Sequence, residues 1–203
     1  MHLQEYRDAV AWLAADRGID ADEIGLRGSS SSGGEVIILA SEDLPIRCGV
    51  AQVPQPGEGG LDLPSGSLGV LTSAFESGDA DATIAAVTDS PDRAAVMCED
   101  GAYDWFTRVA AERTPAWKHA LRISAFRERF RPIDQLAAAR IPHLLVVAPD
   151  DTLTPPGPTL PIVASTPSVS VVKIARGHFD TYESDWLPVP VQPSTGSAAH
   201  PTG

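Results

Sequence analysis

The order of elements near the start of the chain constrains its fold more than any other feature. Residues 24–27 predict a short strand, and the Gly/Ser run at 28–34 predicts a tight turn that leads into an apolar helix at 36–40. Residues 46–53 predict the next strand, which Pro54 ends. Two strands that a helix joins through such short connections lie parallel in one sheet. The sequence therefore predicts an α/β fold.

The same kind of signal returns later in the chain. Residues 143–148 form a continuous apolar run, which is typical of a parallel strand that is covered on both faces, and residues 168–174 predict a further strand. An amphipathic helix precedes the first strand, with apolar residues from Leu3 to Ala14 at spacings of three and four. We therefore expect a mostly parallel sheet of about four strands with helices packed on it.

The composition of the chain changes between the two parts of this predicted sheet. Between about residues 55 and 140 the chain has many glycines and prolines and several short helical patterns, the clearest of which covers 117–130. We interpret this stretch as a helical cap that is inserted into one α/β domain spanning residues 1–187. Residues 188–203 are a Pro/Ser-rich tail without periodicity, and we expect them to be disordered.

Charge and cysteine content narrow the classes of partner. The 203 residues include 27 acidic and 15 basic ones, and the resulting net charge of −12 repels nucleic acid and anionic lipid. We find no apolar run with the length of a membrane span or a secretory signal. Cys48 and Cys98 lie far apart, which argues against a disulfide framework and a cysteine zinc site. We expect a cytoplasmic protein without a nucleic-acid partner, a membrane partner or a bound metal.

The turn at residues 28–34 has the composition of a nucleophile elbow. Such an elbow places one side chain on a sharp strand-to-helix turn, where small neighbours let the backbone bend. Ser30 is the middle residue, and the amide of Ser31 at the helix start points towards a developing oxyanion. An ordinary flexible loop is the alternative. A phosphate-binding loop is disfavoured because Gly34 and Glu35 stand where that motif needs lysine and then serine or threonine.

Further polar groups directly follow the two later strands. Asp150 and Asp151 come after the strand at 143–148, and His178 comes after the strand at 168–174. Taken alone, the acidic pair could be a plain turn and the histidine a solvated loop residue. Their order along the chain, serine then aspartate then histidine, places all three at the carboxyl ends of parallel strands, where α/β sheets bind ligands. A carboxylate there can orient an imidazole, which in turn activates a serine hydroxyl.

With these motifs the sequence resembles the α/β-hydrolase superfamily, in particular its dienelactone-hydrolase-like and serine-peptidase-like branches. Residues 28–34 resemble the elbow, residues 151–155 the acid loop and residues 177–179 the histidine loop. The resemblance implies a serine hydrolase that cleaves a small-molecule ester or amide without a metal or an organic cofactor. The residues that it assigns are Ser30 as nucleophile, His178 as general base, Asp151 as the acid with Asp150 in reserve, and the Ser31 amide as oxyanion-hole donor.

The sequence departs from the superfamily in one respect that bears on activity. Members have several strands before the strand that leads into the elbow, and a loop there supplies the second oxyanion-hole amide, whereas a single predicted helix precedes the strand at 24–27 here. A sheet truncated in this way leaves an open edge, which is a candidate for self-association. Loss of one oxyanion donor typically costs ~10²–10³ in rate. We therefore expect a weak hydrolase if the chain is complete. The alternative is a truncated, non-catalytic relative with a binding or interaction role.

Overall fold

The computed structural model describes residues 3–57, 63–79, 81–114, 116, 118–126 and 130–182. In chain order the strands are β1 (Gly25–Ser29), β2 (Cys48–Gln52), β3 (Thr83–Val87), β4 (Ala95–Met97), β5 (Ala120–Arg122), β6 (His143–Val147) and β7 (Val169–Lys173). The helices are α1 (Leu3–Ala15), α2 (Ser31–Leu39), α3 (Ser67–Ser77), α4 (Ala102–Asp104), α5 (Ala111–Arg113), α6 (Ile133–Leu136) and α7 (Leu160–Val163). A π-helical segment at Trp105–Ala110 joins α4 to α5, and short 3-10 turns lie at Ala21–Glu23, Ile123–Phe126 and Phe179–Tyr182.

The main sheet has four strands in the order β1-β2-β6-β7, and each neighbouring pair is parallel. This arrangement confirms the mostly parallel α/β sheet that the sequence predicted. The predicted strands differ from the observed ones by a residue or two at their ends. Because all four strands run in the same direction, the segments that follow β1, β6 and β7 emerge at the same end of the sheet, where the carboxyl ends of the strands lie.

Helix α2 connects β1 to β2 and packs its apolar side chains against the sheet. Its residue Ile37 is buried in one hydrophobic cluster with Ala51 of β2 and Leu145 of β6. Burial of a side chain of this size contributes roughly 1.5–3 kcal/mol. The cluster therefore fixes the helix to the centre of the sheet, and with it the turn that precedes the helix.

The segment between β2 and β6 contains helices, as expected, and also a second sheet that the sequence analysis did not anticipate. In this sheet β3 pairs in parallel with β4 and in antiparallel orientation with β5. A separate hydrophobic cluster joins it to α3, and its buried members are Leu71, Ala74, Ile84, Val96 and Ile123. The insertion therefore has a small core of its own.

The prediction of a helix over residues 117–130 is wrong. Residues 120–122 form β5, and a 3-10 turn follows them. Ala120 and Arg122 are exposed whereas Leu121 between them is partly buried and packs on the core of the insertion. This alternation has the period of a strand. Pairing with β3 supplies backbone hydrogen bonds from a distant part of the chain, and this tertiary pairing outweighs the local helical pattern.

Strand β1 lies at an edge of the main sheet. Among the described residues it pairs with β2 alone. An edge strand presents backbone N–H and C=O groups that can pair with another chain. Self-association through this edge stays a prediction.

Some expectations concern segments or properties outside this architecture. The predicted domain end at residue 187 and the tail at 188–203 lie outside the described residues. Within the described ranges, none of the helices is both long enough and apolar enough to cross a membrane.

His143, the first residue of β6, is buried at the end of the sheet opposite the elbow. Its ring packs over Gly49 of β2, where an added Cβ would lie 2.5 Å from the histidine Nδ1. The residue is 3% exposed, and within the described part of the chain neither ring nitrogen has a hydrogen-bond partner. Burial lowers the pKa of His143 to about 4. The folded protein therefore keeps this imidazole neutral where the unfolded chain already takes up a proton.

We expect His143 to make the fold sensitive to acid. Between its ordinary pKa of 6.5 and its folded pKa of about 4, the unfolded state binds more protons than the folded state. The free energy of unfolding should therefore be unaffected by this residue above pH 6.5 and should fall as the pH drops towards 4, by up to about 3 kcal/mol. Urea unfolding at neutral pH and at about pH 4.5 measures the loss. The His143→Leu variant lacks the titrating ring, so its free energy of unfolding should fall less than that of the wild type between neutral pH and about pH 4.5. An equal fall in both proteins would contradict the prediction.

Candidate active site

Ser30 lies on the turn between β1 and α2 in a backbone conformation that is rare for a residue with a side chain. Its φ is 54° and its ψ is −120°, and a residue held in such a region costs roughly 1–3 kcal/mol. Glycine is required two residues earlier, because a Cβ on Gly28 would overlap the carbonyl oxygen of Ser32. A strained serine between a strand and a helix, with glycine at this distance, has the geometry of a nucleophile elbow.

Backbone hydrogen bonds hold this turn against the end of β2. The Ser30 amide donates to the carbonyl of Gln52 at 2.9 Å, and the Ser30 carbonyl accepts from the amide of Gln55 at 2.9 Å. Val53, between these two partners, also has a positive φ of 38°, which is unusual for a β-branched residue. The chain is therefore bent sharply at the ends of two adjacent strands, and the bends place the Ser30 hydroxyl beyond the carboxyl edge of the sheet.

The structure brings together three of the side chains that the sequence analysis singled out. The Ser30 Oγ lies 3.1 Å from the Nε2 of His178, and the Nδ1 of His178 lies 2.8 Å from the Oδ2 of Asp151. Both His178 and Asp151 are buried. The imidazole thus bridges a hydroxyl and a carboxylate, an arrangement in which it can accept the hydroxyl proton while the carboxylate stabilises the charge that forms.

The carboxylate of Asp151 accepts hydrogen bonds on both of its oxygens. Its Oδ1 accepts from the backbone amides of Leu153 at 2.9 Å and Thr154 at 2.8 Å, and its Oδ2 lies 2.8 Å from the Thr154 hydroxyl. Burial acts to raise the pKa of Asp151, but the hydrogen bonds from His178 and Thr154 outweigh it and hold that pKa below its usual range. The group is therefore ionised at neutral pH, as the orientation of an imidazole requires.

The other residues that the sequence analysis named take less direct positions. Asp150 is exposed to solvent, and it is Asp151 whose carboxylate accepts the hydrogen bond from the His178 ring. The geometry therefore favours Asp151 as the acid. Ser31 is the first residue of α2, and N–H groups in the first turn of a helix have no partner within that helix. Its amide is placed next to Ser30 and is oriented by the helix start, where a developing negative charge is favourable.

Two site residues were not singled out by the sequence analysis. The Thr154 hydroxyl lies within hydrogen-bond distance of both Asp151 and the carbonyl of Val53, the latter at 3.1 Å. The Tyr182 hydroxyl accepts a hydrogen bond from the Ser29 Oγ at 2.8 Å, and burial raises the pKa of Tyr182 above its ordinary value. The Asp-x-x-Thr spacing of a side-chain-closed turn could have pointed to Thr154. We see no comparable sequence signal for Tyr182.

A cavity of about 820 Å³ opens beside Ser30. The insertion contributes the aromatic side chains of Trp105 and Phe106 to its wall. The Trp105 ring stacks on Phe179 with a centroid distance of 5.5 Å and lies 5.3 Å from Tyr182. These contacts join the insertion to the loop that carries the histidine. The resulting pocket has the size and the largely apolar lining that suit a small organic molecule.

Comparison with solved structures identifies the fold. The chain is similar to the α/β hydrolase GrgF from Penicillium sp. sh18, with a TM-score of 0.65 at 16% identity over 88% of this chain and 64% of that chain. It is similar to the structure of DcsB in complex with its substrate analogue, with a TM-score of 0.71 at 16% identity over 91% of this chain and 66% of that chain. It is also similar to a monoacylglycerol lipase from Paleococcus ferrophilus, with a TM-score of 0.58 at 15% identity over 91% of this chain and 68% of that chain.

These likenesses establish the class of fold. The protein has the α/β-hydrolase fold, as the resemblance of its sequence motifs implied. The chain spans about two thirds of the length of the solved structures that it matches. The sequence itself matches no protein-family model and no curated protein.

Proposed function

We propose that this protein is a serine hydrolase that cleaves an ester or amide bond in a small molecule. The observation that carries the proposal is the continuous hydrogen-bonded chain from the Ser30 hydroxyl through His178 to Asp151. Serine, imidazole and buried carboxylate in this arrangement are the reacting groups of acyl transfer on several unrelated folds. The likeness to proteins that are named an α/β hydrolase and a lipase supports the proposal.

Acylation begins at the Ser30 hydroxyl. Its Oγ attacks the carbonyl carbon of the substrate while the Nε2 of His178 takes the hydroxyl proton. Asp151 stabilises the imidazolium that forms, and the Ser31 amide donates a hydrogen bond to the oxyanion. When the tetrahedral intermediate collapses, the bond to the leaving group breaks and Nε2 passes its proton to the departing alcohol or amine.

Deacylation repeats these steps with water as the nucleophile. The Nε2 of His178 takes a proton from water, and the hydroxide attacks the carbonyl carbon of the acyl-serine. Collapse of the second tetrahedral intermediate breaks the bond to Ser30 Oγ and releases a carboxylic acid. The proton on Nε2 returns to Oγ, which restores the starting state.

A fluorophosphonate probe tests the proposal, because such reagents phosphonylate a serine only where a neighbouring base activates it. We expect the folded chain to be labelled, and we expect mass spectrometry of the labelled peptide to place the adduct on Ser30 and not on Ser29, Ser31 or Ser32. Heat-denatured protein is the control and should remain unlabelled. Labelling that survives Ser30→Ala would move the nucleophile to another residue. A folded chain that does not react would favour the non-catalytic alternative, a binding or interaction protein.

A further inference from the structure

The cavity beside Ser30 contains a buried carboxylate that the hydrolytic steps do not use. Glu35 lies on α2, is 5% exposed and lines the cavity. Within the part of the chain that the structure describes, its carboxylate has no hydrogen bond and no ion pair. Burial of a charged group without a partner is unfavourable. A ligand that brings a positively charged hydrogen-bond donor to this carboxylate therefore gains a strong interaction.

The position of Glu35 along α2 determines how far such a donor lies from the Ser31 amide. Ser31 and Glu35 are four residues apart on the helix, so they lie on one face, one turn from each other. Both line the cavity. Four residues rise about 6 Å along a helix. A carbon chain of a few bonds can therefore join a cation at Glu35 to a carbonyl at the Ser31 amide.

The rest of the cavity wall also suits a cation. Trp105, Phe106 and Tyr182 line it, and the faces of aromatic rings attract ammonium groups. Arg122 is at the wall too, but its guanidinium pairs with Asp81 at 3.5 Å and its side chain is 71% exposed. That cation is therefore directed to the solvent side of the cavity. The net charge of −12 adds a long-range attraction for a positively charged substrate.

We propose that Glu35 is a specificity residue, and that it selects esters or amides with an ammonium group a few bonds from the scissile carbonyl. This inference rests on the proposed hydrolase function. In the bound state the ammonium donates to the Glu35 carboxylate while the carbonyl carbon faces Ser30. The aromatic side chains enclose the carbon chain that joins the two groups.

Matched pairs of substrates measure this selectivity. 2-(Dimethylamino)ethyl butyrate, which carries a protonated N–H at neutral pH, and 3-methylbutyl butyrate differ by a cationic nitrogen against a neutral carbon on the alcohol side. The p-nitrophenyl esters of 6-aminohexanoate and heptanoate differ by an ammonium against a methyl group on the acyl side. We expect kcat/KM to be about 10- to 100-fold higher for the cationic member of at least one pair. Glu35→Gln should bring that ratio close to one, whereas Glu23→Gln, the same change at an exposed position, should leave the ratio as it is.

Calorimetric binding separates this inference from the proposed function, because binding requires no turnover. The Ser30→Ala chain should bind protonated 2-(dimethylamino)ethyl butyrate, and addition of Glu35→Gln should weaken the binding at least about tenfold. If Glu35-dependent binding occurs but no ester is hydrolysed, the site stands and the hydrolase function fails. If neutral esters are hydrolysed but neither the substrate ratio nor the binding depends on Glu35, the hydrolase function stands and the inference is overturned. Absence of Glu35-dependent binding overturns it whatever the chain hydrolyses.

Discussion

Replacement of Ser30 by alanine should lower kcat for p-nitrophenyl butyrate by a factor on the order of 10⁶, or to the spontaneous rate where that is reached first. The reason is that the proposed reaction passes through an acyl group on Ser30 Oγ, and the structure places that atom 3.1 Å from the Nε2 of His178. Without the hydroxyl, the Nε2 of His178 has no serine to activate. Steady-state kinetics on the purified variant measure the loss.

A second serine provides the matched control for this experiment. Ser41 lies just after the end of α2, where its hydroxyl donates to the carbonyl of Ile38 at 2.7 Å. Ser41→Ala removes the same atom at the far end of the same helix and should retain wild-type turnover. If Ser30→Ala kept more than about a tenth of the wild-type kcat, a loss far below the one expected for a nucleophile, Ser30 would not be the nucleophile.

Asp151→Asn should give the second-largest loss, a decrease in kcat on the order of 10⁴. An asparagine has nearly the shape of aspartate, but it carries no charge to stabilise the imidazolium, and its NH₂ group favours the wrong tautomer of His178. The same change leaves Thr154, which donates to this carboxylate through its amide and its hydroxyl, with a weaker acceptor. A lower thermal midpoint should therefore accompany the kinetic loss.

The neighbouring residue separates a catalytic effect from a general effect of charge. Asp150→Asn makes the same chemical change one position earlier, on a side chain that is exposed. We expect it to have a far smaller effect on kcat than Asp151→Asn. A kinetic comparison that ranks the two variants in the opposite order would move the role of the acid to Asp150. Circular dichroism of both variants establishes that each is folded before the rates are compared.

The parts of the fold that could be predicted are those with local sequence signals. Strands β6 and β7 are short apolar or β-branched runs, whereas β1 and β2 are recognised largely from the Gly/Ser turn and the proline that follow them. Ser30 stands out because its glycine-rich turn has a steric requirement that is visible in the sequence, and the structure shows that requirement at Gly28. Asp151 and His178 were candidates because each follows a strand directly.

The parts that could not be predicted depend on contacts between distant segments. Strand β5 forms because it pairs with β3, and its three residues carry too little pattern to be recognised. Tyr182 reaches the site through its contact with Ser29, which lies at the other end of the sequence. Glu35 was noted only because its charge excludes a phosphate-binding loop. Its burial depends on segments that are distant in the sequence and that meet around the cavity.

The pairing of β2 with β6 has a consequence for the way the molecule reaches its native state. Gly49 lies opposite His143, so a loop of about 90 residues has to close before these strands can pair. The segment that carries Ser30 forms through contacts between residues close in sequence, and contacts of that kind form faster than long-range strand pairing. Asp151 and His178 join Ser30 only after the loop has closed. We therefore expect the proposed hydrolytic activity to appear during refolding only once β2 and β6 have paired.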